Sequence, residues 1–312
     1  MIRVDKLTKR YGDQPAVDNV SFDIATGEIV GFLGPNGAGK TTTMKIITCF
    51  MPATSGVVEV DGLDVFDHSY EVRKKIGYLP ETTPLYPEMN VLEYLEFVQA
   101  VRKIAVSGRR PQLRNMIDLC GLGEVVHKDI GELSKGYRQR VGLAQAIIHD
   151  PEILILDEPT IGLDPNQVVE IRQLIAELGH KKTLVLCTHI LSEVEAVCSR
   201  VLIMNRGKIV ADGAPETLRA GLQGRQRLQV VLKGDGDPDR VVRQLAALPE
   251  AQVESRPPSE PGVITLEITS GKHQDLREEV FRAVSSAGAV LLEMRREVQS
   301  LEDVFRDLTR GS

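Results

Sequence analysis

The sequence predicts a doubly wound α/β domain with a mainly parallel sheet, interrupted by a helical subdomain and followed by a smaller α+β domain. Three observations carry this. Short apolar runs of strand length alternate with helical patterns over residues 1–222. A stretch from about 85 to 150 keeps helical periodicity (Leu92, Leu95, Phe97-Val98, Val101) and offers no strand. After a break at Ala214-Pro215 the pattern restarts near Arg225, giving a second domain over 223–312. A chain of 312 residues is also too long for one compact core.

The strands read in order are Val20–Ile24, Glu28–Leu33, Val57–Val60, Ile76–Leu79, Ile153–Leu156, Thr183–Thr188 and Arg200–Met204. Several are β-branched on both faces, as strands covered by helices are. Helices are expected over Lys40–Cys49, Val168–Leu178 and Ser192–Val197. In the second domain Leu228–Lys233 reads as a strand and Asp239–Leu248 as an amphipathic helix. Gln252–Ser255 and Val263–Ile268 form a strand pair, Asp275–Ser286 a helix, Val290–Met294 a strand and Leu301–Leu308 a closing helix. The order βαββαβ is that of a ferredoxin-like unit, an irregular α+β appendage being the alternative.

Composition excludes several classes of function. Lys and Arg total 38 against 44 Asp and Glu, a net charge of -6, the reverse of a general nucleic-acid binder. Aromatic residues are 4% with no Trp, which leaves little to stack on unpaired bases, so no nucleic-acid partner is expected. The apolar runs are strand-sized, and none approaches the roughly 18 residues of a membrane-spanning helix. Met1–Lys6 has no apolar signal core, so a cytoplasmic location is expected. Cys49, Cys120, Cys187 and Cys198 are scattered without a C-x-x-C pair, which reads as reduced thiols and not as zinc or disulfides.

Gly34-Pro35-Asn36-Gly37-Ala38-Gly39-Lys40-Thr41 fits G-x-x-x-x-G-K-[ST], directly after a predicted strand and opening a helix. Glycines let successive N–H groups curl around a phosphate, and the helix amino terminus adds its dipole. Lys40 is expected on the β/γ-phosphates and Thr41 on Mg²⁺, with Thr42 completing the binding set. Ile153–Leu156 runs into Asp157 and Glu158. At the carboxyl end of a parallel strand Asp157 would face the Mg²⁺ and Glu158 would polarise the water that attacks the γ-phosphate.

Further along, Leu133-Ser134-Lys135-Gly136-Tyr137-Arg138-Gln139-Arg140 resembles the signature motif of ABC ATPases, normally L-S-G-G-Q. Other matches fall in the family's order. Tyr11 is placed like its adenine-stacking aromatic, Glu81 falls at the Q-loop, Gly162-Leu163-Asp164-Pro165 looks like the D-loop, and His189 looks like the switch histidine. The resemblance spans residues 1 to about 220 and implies a P-loop NTPase core of the ABC type that binds ATP with Mg²⁺ and hydrolyses it. It implies head-to-tail pairing, as a homodimer or with a paired ATPase subunit. Ser134 and Gly136 of one subunit would then meet the γ-phosphate held by the other, and His189 would hold the attacking water.

Two positions depart from the family pattern. Glu81 stands where Gln is usual and adds a carboxylate to the metal set of Thr41 and Asp157, while Lys135 replaces a signature glycine. These departures and the appendage ending Ser300-Leu301-Glu302-Asp303-Val304-Phe305 resemble the ATP-binding subunits of ABC-2-type exporters, in the gliding-motility and multidrug branch. That resemblance implies a separate multi-spanning membrane permease as partner and a peripheral place on the inner face of the cell membrane. The competing class is a soluble ABC ATPase of DNA repair or translation. Repair members carry a long coiled-coil interruption and translation members generally two fused ATPase domains, features this sequence lacks.

Overall fold

The computed structural model describes residues 1–222, 227–233, 238–248, 251–256, 262–269, 276–297, 302 and 305–306. Met1–Pro215 form one compact unit, and a second begins at Glu216. The first unit opens with β1 (Ile2–Tyr11), β2 (Gln14–Ile24), β3 (Ile29–Leu33), α1 (Lys40–Ile47), β4 (Ser55–Val60) and β5 (Leu63–Asp64). It continues through α2 (Ser69–Lys75), β6 (Ile76–Leu79), α3 (Val91–Val101), α4 (Val106–Leu119), α5 (Lys135–Ile147) and β7 (Ile153–Asp157). α6 (Pro165–Gly179), β8 (Thr183–Thr188), α7 (Leu191–Val197), β9 (Arg200–Asn205), β10 (Lys208–Gly213) and α8 (Pro215–Leu222) complete the order, α8 straddling the division between units.

The main sheet has the order β10-β9-β3-β8-β7-β6, parallel except for the β9–β10 hairpin. Every residue of β7 and β8 is buried, in keeping with a sheet covered on both faces. The register sets the chemistry: Leu33 pairs with Thr188, and Asp157 with Cys187. The carboxyl ends of β3, β8 and β7 therefore finish at one level, side by side.

A second sheet, β2-β1-β4-β5, is antiparallel throughout. The predicted strands Val20–Ile24 and Val57–Val60 belong to it and not to the parallel sheet. Val20, Phe22 and Ile24 are buried while their neighbours Ser21 and Asp23 are exposed, the one-faced alternation of an antiparallel sheet. α1 packs against β2, β4 and β7, so its Met44, Ile46 and Ile47 share one core with Ile2, Leu7, Phe22, Phe32 and Ile155. Between β6 and β7 the described residues hold helices and turns, with a single isolated bridge from Asn90 to Asp129. Asn90 starts α3 with a reciprocal capping box to Glu93.

The second unit runs β11 (Arg227–Lys233), α9 (Pro238–Ala246), β12 (Gln252–Arg256), β13 (Val263–Thr269), α10 (Arg277–Ser286) and β14 (Val290–Glu297). Its sheet is antiparallel in the order β12-β13-β11-β14. Leu228, Val230, Leu232, Leu266 and Ile268 meet Val241, Leu245, Val280 and Val284 of the two helices. This βαββαβ chain with its first and third strands at the centre is the ferredoxin-like arrangement. The predicted closing helix Leu301–Leu308 lies outside the described residues except at 302 and 305–306.

Gly77 in β6 is where the helical insert touches the main sheet. A Cβ there would sit 2.2 Å from the Ala146 carbonyl oxygen and 2.8 Å from Pro151. Gly77→Ala is expected to cost about 1–3 kcal/mol in urea unfolding. Gly108→Ala, in open space on α4, is expected to leave stability unchanged or raise it by up to about 1 kcal/mol.

Candidate active site

The loop between β3 and α1 is shaped by its neighbours. A Cβ on Gly34 would lie 2.4 Å from the Met204 carbonyl oxygen, and one on Gly39 the same distance from that of Ala16. Gly39 also has φ +106°, a conformation closed to other residues. The loop is tied down by the bond from Gly207 N to Ala38 O at 2.9 Å and that from Ala38 N to Pro35 O at 3.1 Å. No side chain caps the start of α1, so its first N–H groups and its dipole are directed at the loop. Thr41 and Thr42 stand half-buried in that first turn. Lys40 is buried, its Nζ donating to the Gly34 carbonyl at 2.7 Å and to that of Pro35 at 3.3 Å.

Beside the loop, β7 ends in Asp157, which has no solvent exposure. Neither of its carboxylate oxygens has a hydrogen-bond partner among the described residues. Burial raises its pKa to about 6; the Glu158 and Glu81 carboxylates push the same way, and Thr41 and Lys40 pull it down. Glu158 comes next with φ +51°, a left-handed backbone that costs a non-glycine residue about 1–2 kcal/mol. Its N–H donates to the Cys187 carbonyl at 2.8 Å, which anchors it to β8. Its carboxylate lies 3.7 Å from Lys40 Nζ through Oε1 and 2.9 Å from His189 Nδ1 through Oε2.

An unpartnered, dehydrated carboxylate beside a threonine hydroxyl suits a hard divalent cation such as Mg²⁺. Among the described residues no three His, Cys, Asp or Glu side chains form a metal cage.

The structure thus gathers Gly34, Pro35, Asn36, Gly37, Ala38, Gly39, Lys40, Thr41, Thr42, Asp157, Glu158 and His189 at the ends of three adjacent strands. Glu81 is exposed on the bend after β6, close enough to raise Asp157. Ser134 and Gly136 make a second group with Asp164. Ser134 caps α5 by accepting from Tyr137 N, Gly136 is buried against Gln167, and Asp164 caps α6 by accepting from the N–H groups of Asn166 and Gln167. Lys135 lies over Gly162 of the same turn. Tyr11 stands at the end of the β1–β2 hairpin, exposed, its hydroxyl 3.2 Å from Met51 Sδ and its ring under Lys9 Nζ.

Sequence reading passed over Thr160, Arg172 and Glu193. Glu193 is buried on α7, and one of its oxygens accepts from the Thr160 hydroxyl. In sequence it looks like an acid in the first turn of a helix, an ordinary dipole-favoured position. The available signal was its place one turn after His189.

The sequence profile of the ABC transporter family matches residues 17–161. The daunorubicin resistance ATP-binding protein DrrA3 of Streptomyces coeruleorubidus is 33% identical over 99% of this chain and 95% of its own. The chain belongs to the ABC transporter ATP-binding family. The bacitracin transport ATP-binding protein BcrA of Bacillus licheniformis is 37% identical over 68% of this chain and 69% of its own. Among solved structures, the dimeric post-hydrolysis state of the ATP-binding cassette MJ0796 bound to ADP and Pi has a TM-score of 0.63 at 28% identity. It covers 69% of this chain and 98% of that one. This ABC protein is therefore an ATP-binding, ATP-hydrolysing subunit of a transporter, of a family whose cassettes dimerise. No described helix is long and apolar enough to cross a membrane.

Asp157 holds its proton more tightly in the folded chain than in the unfolded one, whose carboxylates titrate near 3.8. The charged form therefore destabilises the fold, an effect absent below about pH 4 and fully developed once the pH has risen through about 6. Without metal or nucleotide, Asp157→Asn is expected to stabilise the ABC ATPase by about 3 kcal/mol near neutral pH and little at about pH 4.

Proposed function

We propose that this ABC ATPase drives a separate multi-spanning permease of the ABC-2 exporter type from the cytoplasmic face of the membrane, paired with a second ATPase subunit, most simply its own copy. The observation that supports the exporter reading is that the similarity to a drug-resistance ATP-binding protein runs through both units of the chain. The second unit has its own core.

The residues divide the work. The loop N–H groups of Asn36, Gly37 and Gly39 and the amino end of α1 receive the phosphates, and Lys40 turns from the Gly34 and Pro35 carbonyls toward the β/γ oxygens. Thr41, Asp157 and Glu81 are the oxygen donors for Mg²⁺, which when bound neutralises phosphate charge. Glu158 orients and polarises the attacking water, and His189, on the other oxygen of the same carboxylate, fixes that carboxylate's direction. Tyr11 offers its exposed ring to the adenine. Ser134 and Gly136 at the start of α5 serve the γ-phosphate held by the opposite subunit, with the Asp164 turn alongside. Nucleotide sandwiched in this way joins the two subunits, and hydrolysis releases them.

Glu158→Gln keeps the side chain's size and removes its basicity. Steady-state ATP hydrolysis is expected to fall about 10²-fold or more, with an ATP-bound dimer accumulating on size exclusion. Affinity purification of the chain from detergent-solubilised membranes of its native cells is expected to recover a polytopic subunit in stoichiometric amount. Its absence would remove the export reading while leaving the ATPase intact.

A further inference from the structure

Glu193 is a buried carboxylate that the nucleotide site does not use. It is 1% exposed on α7. One oxygen accepts from Thr160 Oγ1, with Arg172 Nη2 of α6 4.0 Å from that same oxygen. The other oxygen and Arg172 Nε are buried without hydrogen-bond partners among the described residues. An incompletely paired buried charge is a net cost that an apolar side chain of similar size would avoid. Something other than stability keeps a carboxylate there.

The segment it holds is the turn that carries Glu158. That turn is closed by the bond from Ile161 N to the Glu158 carbonyl at 3.2 Å, and Thr160 lies inside it, 4% exposed. A left-handed residue such as Glu158 persists only where its surroundings over-determine it. On one side Glu158 N is bonded to β8. On the other, Thr160 is bonded to α7, which itself has little room to move: a Cβ on Gly31 of β3 would lie 2.6 Å from Val194 Cγ1. α7 also begins two residues after His189, with Ile190 N donating to Thr188 Oγ1 at 3.0 Å. The Glu193–Thr160 bond thus ties together the two segments whose side chains meet as Glu158 and His189.

We infer that Glu193 is a positioning residue which, through the Thr160 hydroxyl, holds the Glu158 carboxylate in register with His189. The inference rests on the reading of Glu158 as the group that polarises the attacking water.

The test compares Thr160→Val, Thr160→Ser, Glu193→Leu and Glu193→Gln with Glu158→Gln in the full chain, measuring kcat and KM for ATP with Mg²⁺, together with Tm. Thr160→Val and Glu193→Leu are expected to lower kcat about 10- to 100-fold with KM little changed. Thr160→Ser and Glu193→Gln, which keep the donor and the acceptor, should restore most of that rate. Glu193→Leu should melt no earlier than wild type, separating positioning from stability. If Glu158→Gln is inactive while Thr160→Val and Glu193→Leu keep full kcat, the positioning role is overturned and Glu158 stands. A fall in kcat that Ser and Gln do not recover also overturns it. Hydrolysis surviving in Glu158→Gln overturns both readings.

Discussion

The parallel pairing of β3, β8 and β7 is the constraint on which the site depends. Leu33 opposite Thr188 and Asp157 opposite Cys187 bring three strand ends to one level, and each strand leads straight into chemistry: the glycine loop, His189 and Glu158. A one-residue slip in either pairing would turn alternate side chains to the other face of the sheet and part Lys40 from Glu158. Full burial on both faces makes such a slip expensive, because β7 and β8 expose nothing that could be traded for water.

That rigidity carries local strain. A dehydrated Asp157 whose oxygens have no hydrogen-bond partner among the described residues, a left-handed Glu158 and a buried Glu193 each cost free energy on their own. They lie along one short path, from the end of β7 through its turn to α7, and the apolar core on either side holds them there. Phe22 and Phe32, edge to face at 5.0 Å, and the α1 residues between the two sheets belong to that support. Sites held this way are prepared for charge that arrives with substrate.

The glycine loop was legible in sequence because every residue it needs is contiguous, and Asp157–Glu158 because an apolar run ended in acid. The sequence did not show why Gly34 and Gly39 are required. The backbones that crowd them belong to Met204 and Ala16, distant along the chain. β1 went unread because its buried residues Ile2, Val4 and Leu7 break the alternation, the register shifting between Val4 and Leu7 where Lys6 has φ +52°. The assignment of Val20–Ile24 and Val57–Val60 to an antiparallel sheet also depended on that unread strand, which pairs with both. In the second unit the alternation of elements was clear, whereas its strand order comes from long-range pairing of β11 with β13 and β14. Glu193 was invisible for a similar reason: its partner Thr160 is 33 residues away.

Lys135 shows how a departure from a motif is resolved by packing. Its ammonium would be 2.2 Å from a Cβ on Gly162, yet that contact is with the far end of a flexible side chain, which can swing aside at little cost. The demand for glycine at 162 comes from φ +69°, not from the lysine. Gly136 is crowded in the same way, by the terminal amide of Gln167, whose three end atoms would lie within 2.7 Å of a Cβ. The start of α5 therefore lies against the Gly162–Gln167 turn at two points, each through the end of a flexible side chain. That turn descends directly from Glu158 through Ile161 and Leu163, each bonded within it. Glu158 and Ser134 are thus joined by a short run of backbone turns and side-chain contacts.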